Sequence, residues 1–520
     1  MSSATFPNLP LLPIGQQDYP TFRKRNLVYV DKTDYILSLI NHGGQFFFLS
    51  RPRRFGKSLL VSTLKTIFQG KKELFEGLYI YDKWDFEPNP IIHLDFSKMG
   101  FRDIGLTTAI EQTLRKIAQE ASIELTSTGN GLLFAELLQK LHAQSGKEVV
   151  VLIDEYDKPI TDVLEFGKSE KAHEHLGILR TLYSVLKGNS EHIRFFFMTG
   201  IARFSKVSLF SDLNNLRDIS RDNDFHNLLG YTQNELTHYF EPYLSFIAQE
   251  KEISIENLLE QIKVWYNGFS WNGKDKVYNP FSLLNFFASR EFENFWFETG
   301  TPRFLIEKMK EIQVYDVANT KIDALSAENL SIDDVQLIPL LFQTGYLTLK
   351  KKDQLGGYLL DYPNKEVYES MLKHILMGYT HSQLSPTHAT NIIRAIFVND
   401  LDQLIREINI LFATIPYQIF DINQEKYFHA ILFLSLKICG FYIESEVSVS
   451  TGRIDAVMIY ENKVYIFEFK LNESADSSLQ QIREKQYFKK YDNQDKKIIL
   501  VGIGFSGKTK EVSDWKVETV

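Results

Sequence analysis

The sequence predicts an α/β chain with two sheets, a larger parallel one toward the N-terminus and a smaller one at the C-terminal end, separated by mostly helical stretches. Three observations lead there. Between Gln45 and about Gly230, short apolar runs alternate with helix-length segments, the pattern of βα repeats that cover both faces of a parallel sheet. The run Val149-Val150-Val151-Leu152-Ile153 is apolar at every position, as a strand buried on both sides has to be. Near the C-terminus, helix and strand signals return in the order helix, three strands, helix, strand.

Taken in order, residues 1–40 read as an approach segment in which Tyr29-Val30-Asp31-Lys32-Thr33 leads into a helix. Residues 46–49 form the first strand, followed by the loop Ser50-Arg51-Pro52-Arg53-Arg54-Phe55 and a helix start at Gly56-Lys57-Ser58. Strand, tight loop and helix start in that order make a phosphate site. Loop N–H groups and the helix dipole face the anion, a lysine reaches the β- and γ-phosphates, and a hydroxyl holds Mg²⁺. Lys57 and Ser58 take the last two roles, with Arg51, Arg54 and Gly56 lining the loop. The Walker pattern has glycine five residues before Gly56, where this chain has Arg51.

A strand at 91–95, helices between 107 and 142, and the strand from Glu148 follow. The last of these ends in Asp154-Glu155. Asp154 is expected to hold Mg²⁺ through water and Glu155 to polarise the attacking water, since phosphoryl transfer depends on positioning and charge neutralisation. A helix around 175–186 and a strand at 193–198 complete the sheet. Thr199 at that strand end is expected near the γ-phosphate. Arg203 is expected to stabilise transition-state charge, within one subunit or across a homo-oligomer interface.

Domain boundaries are expected at 1–230 for this unit, 231–330 for a helical lid whose aromatics read as core, 331–412 for a winged-helix-like and helical connector, and 413–520 for the last unit. Within the third, a helix through Leu341 precedes strands at 346–350 and 358–361, joined by Gln354-Leu355-Gly356-Gly357. The last unit reads as helix 424–439, strands 441–449, 453–460 and 464–470, helix 475–490 and strand 498–503. Side chains alternate along a strand, so Glu468 and Lys470 share a face, and a hairpin brings Asp455 beside them. Two carboxylates beside a lysine suit Mg²⁺, with Mn²⁺ as an alternative. Asp455 and Glu468 are the expected ligands, with Glu425 as a further one. Lys470 would orient or activate water, and Gln481 would position the lysine or a phosphate.

Charge narrows the class of partner. The formal net charge is −8, yet residues 481–510 hold eight Lys/Arg against three acids, a stretch suited to the phosphates of DNA or RNA. No apolar run is long enough to cross a bilayer and residues 1–5 lack a signal-peptide pattern, so a cytoplasmic protein without a membrane partner is expected. Cys439 is the single cysteine; it rules out an internal disulfide and reads as a packed thiol. His173 and His175 are the close histidine pair, with nothing beside them to complete a zinc site.

In combination these residues resemble bacterial proteins in which an AAA/STAND-like P-loop ATPase domain is fused to a C-terminal PD-(D/E)XK nuclease-superfamily domain. The likeness rests on Tyr29-Val30-Asp31-Lys32-Thr33, residues 51–59 and 151–156, Thr199-Gly200 with 204–208, Asn214-Asn215-Leu216, Trp265-Tyr266-Asn267-Gly268, Tyr278-Asn279-Pro280-Phe281, residues 296–300, Gly452-Arg453-Ile454-Asp455 and Phe467-Glu468-Phe469-Lys470. It implies ATP and Mg²⁺ in the first unit and a metal-dependent nuclease fold in the last. It also accounts for Arg51, because the loop of those proteins reads Arg-Pro-Arg-Arg-Phe-Gly-Lys-Ser. The expected function is an ATP-dependent nuclease or nucleic-acid-processing ATPase. The alternative is an ATP-driven switch or assembly protein whose last unit binds nucleic acid or protein without cutting.

Overall fold

The computed structural model describes residues 9–164, 169–204, 215–296, 303–328, 330, 335–352, 356–381, 383–416, 425–449, 451–492 and 496–520. Motif residues 205–208, 214 and 297–300, and the expected elements at 331–334, 354–355 and 424, lie outside them. The chain folds as two compact units, one of residues 1–301 and 318–367, the other of 302–317 and 368–520.

In the first unit, β1 (Phe46–Ser50), β2 (Ile91–Asp95), β3 (Val149–Asp154), β4 (Ile193–Gly200) and β5 (Arg217–Asp218) form a parallel sheet in the order β2-β3-β4-β1-β5. Successive side chains feed two different cores, as the two-residue period of a strand requires. Phe46, Phe48, Val151, Ile153, Phe196 and Met198 face one layer of helices. Phe47, Leu49, Val150, Leu152, Phe195 and Phe197 face the other, which contains the Lys57–Phe68 helix through Leu60, Leu64 and Ile67. Burial on both sides explains why β1 and β3 read as unbroken apolar runs.

The aromatics of the following helical stretch are core: Phe240, Tyr243, Tyr266, Tyr278, Phe286 and Phe287 pack together with Val30. Beyond them, β6 (Thr320–Asp323), β7 (Thr348–Lys352) and β8 (Gly357–Asp361) form an antiparallel sheet in the order β6-β8-β7, accompanied by the Leu337–Thr344 helix. β6 carries no strand signal, because Thr320-Lys321-Ile322-Asp323 has a single apolar residue and sits at a sheet edge.

Glu366, at the start of the Lys365–Thr380 helix, is wholly buried. Its carboxyl accepts from the Trp296 N–H at 2.6 Å and the Ser282 hydroxyl at 2.8 Å. Burial, outweighing these hydrogen bonds, pushes it up from 4.5 to about 7. The unfolded chain releases this proton near 4.5 and the folded chain near 7, so the stabilisation is complete below the first value and is lost as pH rises through the second. The loss amounts to about 3 kcal/mol at 1.36 kcal/mol per pKa unit. Glu366→Gln stays neutral and is expected to flatten that part of the slope. Thermal unfolding midpoints of both proteins at about pH 5 and about pH 8 check this.

In the second unit, β9 (Tyr442–Val449), β10 (Gly452–Tyr460), β11 (Lys463–Leu471), β12 (Lys497–Ser506) and β13 (Glu511–Thr519) form a sheet in the order β13-β12-β11-β10-β9. β11 and β12 are parallel and the other pairs antiparallel. The Ala475–Lys485 helix makes the crossover between the parallel pair and stops at Gln486, which turns left-handed at φ +52 ahead of a 3₁₀ turn at Tyr487–Lys490. The reading of one helix over 475–490 missed that break. It also missed β13, an edge strand with charges between Val512, Trp515 and Val517. The helices read as a connector are built into this unit, where Phe412 packs on Phe428 and Phe505. Among the described residues no helix is long and apolar enough to cross a membrane.

Candidate functional sites

Gly56 ends the loop after β1 at φ +93, a left-handed conformation that glycine adopts without strain, and Lys57 opens the helix. Lys57 is buried, and its ammonium donates to the carbonyls of Arg51 at 2.8 Å and Pro52 at 2.9 Å. Burial pushes its pKa down, opposed chiefly by Glu155 and then Asp157 and Asp154. Glu155 is pushed up by burial, opposed first by Lys57. A cavity of about 520 Å³ opens here, lined by Gly56, Lys57, Ser58 and Glu155 together with Tyr29, Tyr231 and Phe281. That volume falls within the usual range of small-ligand sites.

The end of β3 is held by hydrogen bonds to the end of β4. The Thr199 hydroxyl donates to Asp154 Oδ1 at 2.5 Å, both side chains being buried behind the cavity wall. Glu155 adopts φ +53, unusual for a non-glycine residue, and so turns the chain just after the strand. Asp157, which the sequence reading passed over, accepts from the N–H groups of Ile201 at 3.0 Å and Ala202 at 2.7 Å. The acid cluster Asp154-Glu155-Tyr156-Asp157 was the available signal.

Two arginines stand elsewhere than expected. Arg51, read as a phosphate contact, is 1% exposed. Its guanidinium donates to the carbonyls of Ser50 at 2.9 Å and Ser220 at 2.6 Å, and lies 4.0 Å from the Trp271 ring centre. Burial lowers its pKa to about 9, so it stays charged at neutral pH while fixing the root of the loop. Arg203, expected to stabilise transition-state charge within one subunit or across an interface, pairs with Asp218 on β5 at 2.8 Å and is not among the residues lining the cavity of its own chain. An acid on β5, beyond β1 in the sheet, takes its charge. Arg54 is exposed and lies 4.9 Å from the Phe281 ring centre.

The second site lies at the end of the β10–β11 hairpin. Ala456 pairs with Phe467, which leaves Asp455 and Glu468 one step further along, side by side. Asp455 Oδ2 accepts from the Phe469 N–H at 2.9 Å. Glu468 is 1% exposed; its Oε1 accepts from the Gln481 amide and stands 3.8 Å from Lys470 Nζ. Its Oε2 is buried without a hydrogen-bond partner. Burial pushes Asp455 up to about 6 and Glu468 up to about 8, and each carboxyl is raised further by a neighbouring acid, Glu425 for the first and Asp455 for the second.

Lys470 is the cation beside this pair, and the Glu468 oxygen without a hydrogen-bond partner is an acceptor that a divalent cation fits. Glu425, expected as a further ligand, commits Oε2 to the Leu471 N–H at 2.8 Å. Among the described residues no three His, Cys, Asp or Glu side chains gather as a metal-holding group. Behind the hairpin, the Tyr315 hydroxyl stands 3.1 Å from His429 Nδ1, and the His429 ring packs on Phe469, with ring centres 4.5 Å apart. Burial pushes the Cys439 thiol up to about 12, as befits a packed side chain. Lys485, Lys489 and Lys490 are exposed at the end of the helix that carries Gln481, while Arg483 pairs with Glu518 at 2.7 Å.

Comparison with known proteins matches both units. A family model described as "Predicted AAA-ATPase" covers residues 13–210, and one described as "PD-(D/E)XK nuclease superfamily" covers residues 423–515. A curated protein of Azotobacter chroococcum mcd 1, described as "Uncharacterized protein in vnfD 5'region", is 38% identical over 524 residues, which cover 98% of this chain and 99% of that one.

Proposed function

This chain belongs to the family of the Azotobacter protein and joins an AAA-ATPase-like module to a PD-(D/E)XK nuclease-superfamily module; from that premise we propose that it binds and hydrolyses ATP and cleaves nucleic acid at a metal-dependent centre. The observation that carries the second half is the Asp455–Glu468 pair, with Lys470 on the same strand as Glu468 and Gln481 reaching Glu468 from the following helix.

In the first module, Lys57 and the N–H groups opening its helix would hold the phosphates, Ser58 would hold Mg²⁺ with Asp154 acting on it through water, and Glu155 would orient water toward the γ-phosphate. Thr199 fixes Asp154 from behind. Asp157 keeps the β4 end in place.

In the second module, Asp455 and Glu468 hold a Mg²⁺ or Mn²⁺ ion, which when bound supplies charge for the scissile phosphate and lowers the pKa of water. Gln481 keeps Glu468 in its rotamer by hydrogen bonding. Lys470 orients or activates the attacking water. The exposed Lys485, Lys489 and Lys490 follow the phosphate backbone away from the site.

Purified protein with plasmid, linear and single-stranded substrates, with and without ATP, in Mg²⁺ or Mn²⁺, tests this reading. Metal-dependent cleavage supports it. ATP turnover with no cleavage of any substrate would favour an ATP-driven switch that binds without cutting.

A further inference from the structure

The phosphate loop is braced from outside by residues that phosphate chemistry does not call for. Pro52 and Arg53 each meet a fixed partner. Gly345, left-handed at φ +90, approaches so closely that a Cβ there would stand 2.6 Å from Pro52 Cγ. Trp296, 5% exposed, donates from Nε1 to the Arg53 carbonyl at 2.9 Å. The same tryptophan donates its backbone N–H to Glu366 Oε1, and Ser282 holds Oε2.

Ser282 follows Phe281, the ring beside Arg54. The turn before Glu366 is fixed as well, since a Cβ on Gly268 would stand 2.0 Å from the Pro363 carbonyl oxygen. Three segments singled out in the sequence, those around Gly268, Phe281 and Trp296, therefore meet around Glu366 and, through Trp296, reach the loop.

We propose that Trp296 and Glu366 are positioning residues for the phosphate loop: Glu366 fixes the Trp296 backbone, and the Trp296 indole fixes the Arg53 carbonyl, so that the loop is held in the conformation that takes a nucleoside triphosphate. The proposal rests on the reading of the cavity as a nucleotide site. A loop with proline and three arginines in place of glycines has bulky side chains to keep clear of the phosphates. External hydrogen bonds to its backbone are one way to hold them aside. The Nε1–carbonyl bond can be removed by itself, because Trp296→Phe keeps a ring at that position and takes away only the donor.

The test compares wild type with Trp296→Phe, Glu366→Ala and Glu366→Gln. Amide hydrogen exchange over residues 51–57 without nucleotide is expected to rise in the first two variants. Their ATP affinity should fall by about tenfold, the effect of one buried hydrogen bond. The Michaelis constant for ATP should rise more than kcat falls. Glu366→Gln keeps a carbonyl acceptor for the Trp296 N–H and should stay near wild type, and the Trp296→Phe, Glu366→Ala double variant should lose less than the sum of the two. Wild-type exchange across the loop in Trp296→Phe, or faster exchange with unchanged ATP affinity, overturns this proposal alone. A wild type that binds no ATP overturns the nucleotide reading and this proposal with it.

Discussion

Asp455→Ala and Lys470→Ala are each expected to abolish metal-dependent cleavage while ATP turnover continues at the wild-type rate. The two residues lie in the second unit, and the phosphate loop lies in the first. Asp455 and Glu468 are the two carboxyls side by side here, and Asp455 raises the pKa of Glu468, so removing either leaves a single acid to hold the metal. Lys470 stands 3.8 Å from Glu468, and its loss takes away the only lysine at that strand end. Losses of roughly a thousandfold are typical when one charge-stabilising group is removed from such a centre. Cleavage assays in Mg²⁺ and Mn²⁺, run beside phosphate release, check this. Residual cleavage in the Asp455→Ala, Lys470→Ala double variant would remove these residues from the chemistry.

Lys57→Ala is expected to lose tight ATP binding, and Glu155→Gln to keep binding while turnover stops. The lysine sits at the loop, where a charged hydrogen bond to phosphate contributes about 1.5–3 kcal/mol, or roughly ten- to a hundredfold in affinity. Glu155 lines the same cavity but faces the step in which water attacks, where a positioned acid or base contributes about 10²–10⁴ in rate. Calorimetric titration and phosphate release separate the two effects. Unchanged ATP affinity in Lys57→Ala would take away the phosphate-site assignment.

Local signals were legible in the sequence and remote ones were not. Gly56-Lys57-Ser58 and the apolar run ending in Asp154-Glu155 are contiguous, so their places at a helix start and a strand end could be read directly. The Asp455–Glu468 approach needed only a short hairpin and the two-residue period. Arg51 was misplaced because its partner Ser220 lies 169 residues away, and nothing near position 51 announces it. Glu366 looked like an ordinary acid in the first turn of a helix, a favourable place for one near the positive end of the dipole. Only the fold reveals that Trp296 and Ser282 enclose it. β6 and β13 escaped because edge strands lack a continuous apolar face.

The order in which the chain visits its two units limits how it can be taken apart. Residues 302–317 belong with the second unit although 318–367 return to the first. A fragment starting at 368 or 413 would therefore lose Tyr315 from beside His429, and Asp316 from its 2.9 Å pair with the buried Lys437. The shorter fragment would also lack the helix holding Phe412. Neither cut releases an intact nuclease-like unit, whereas a peptide of residues 302–317 added in trans should restore solubility to the longer fragment.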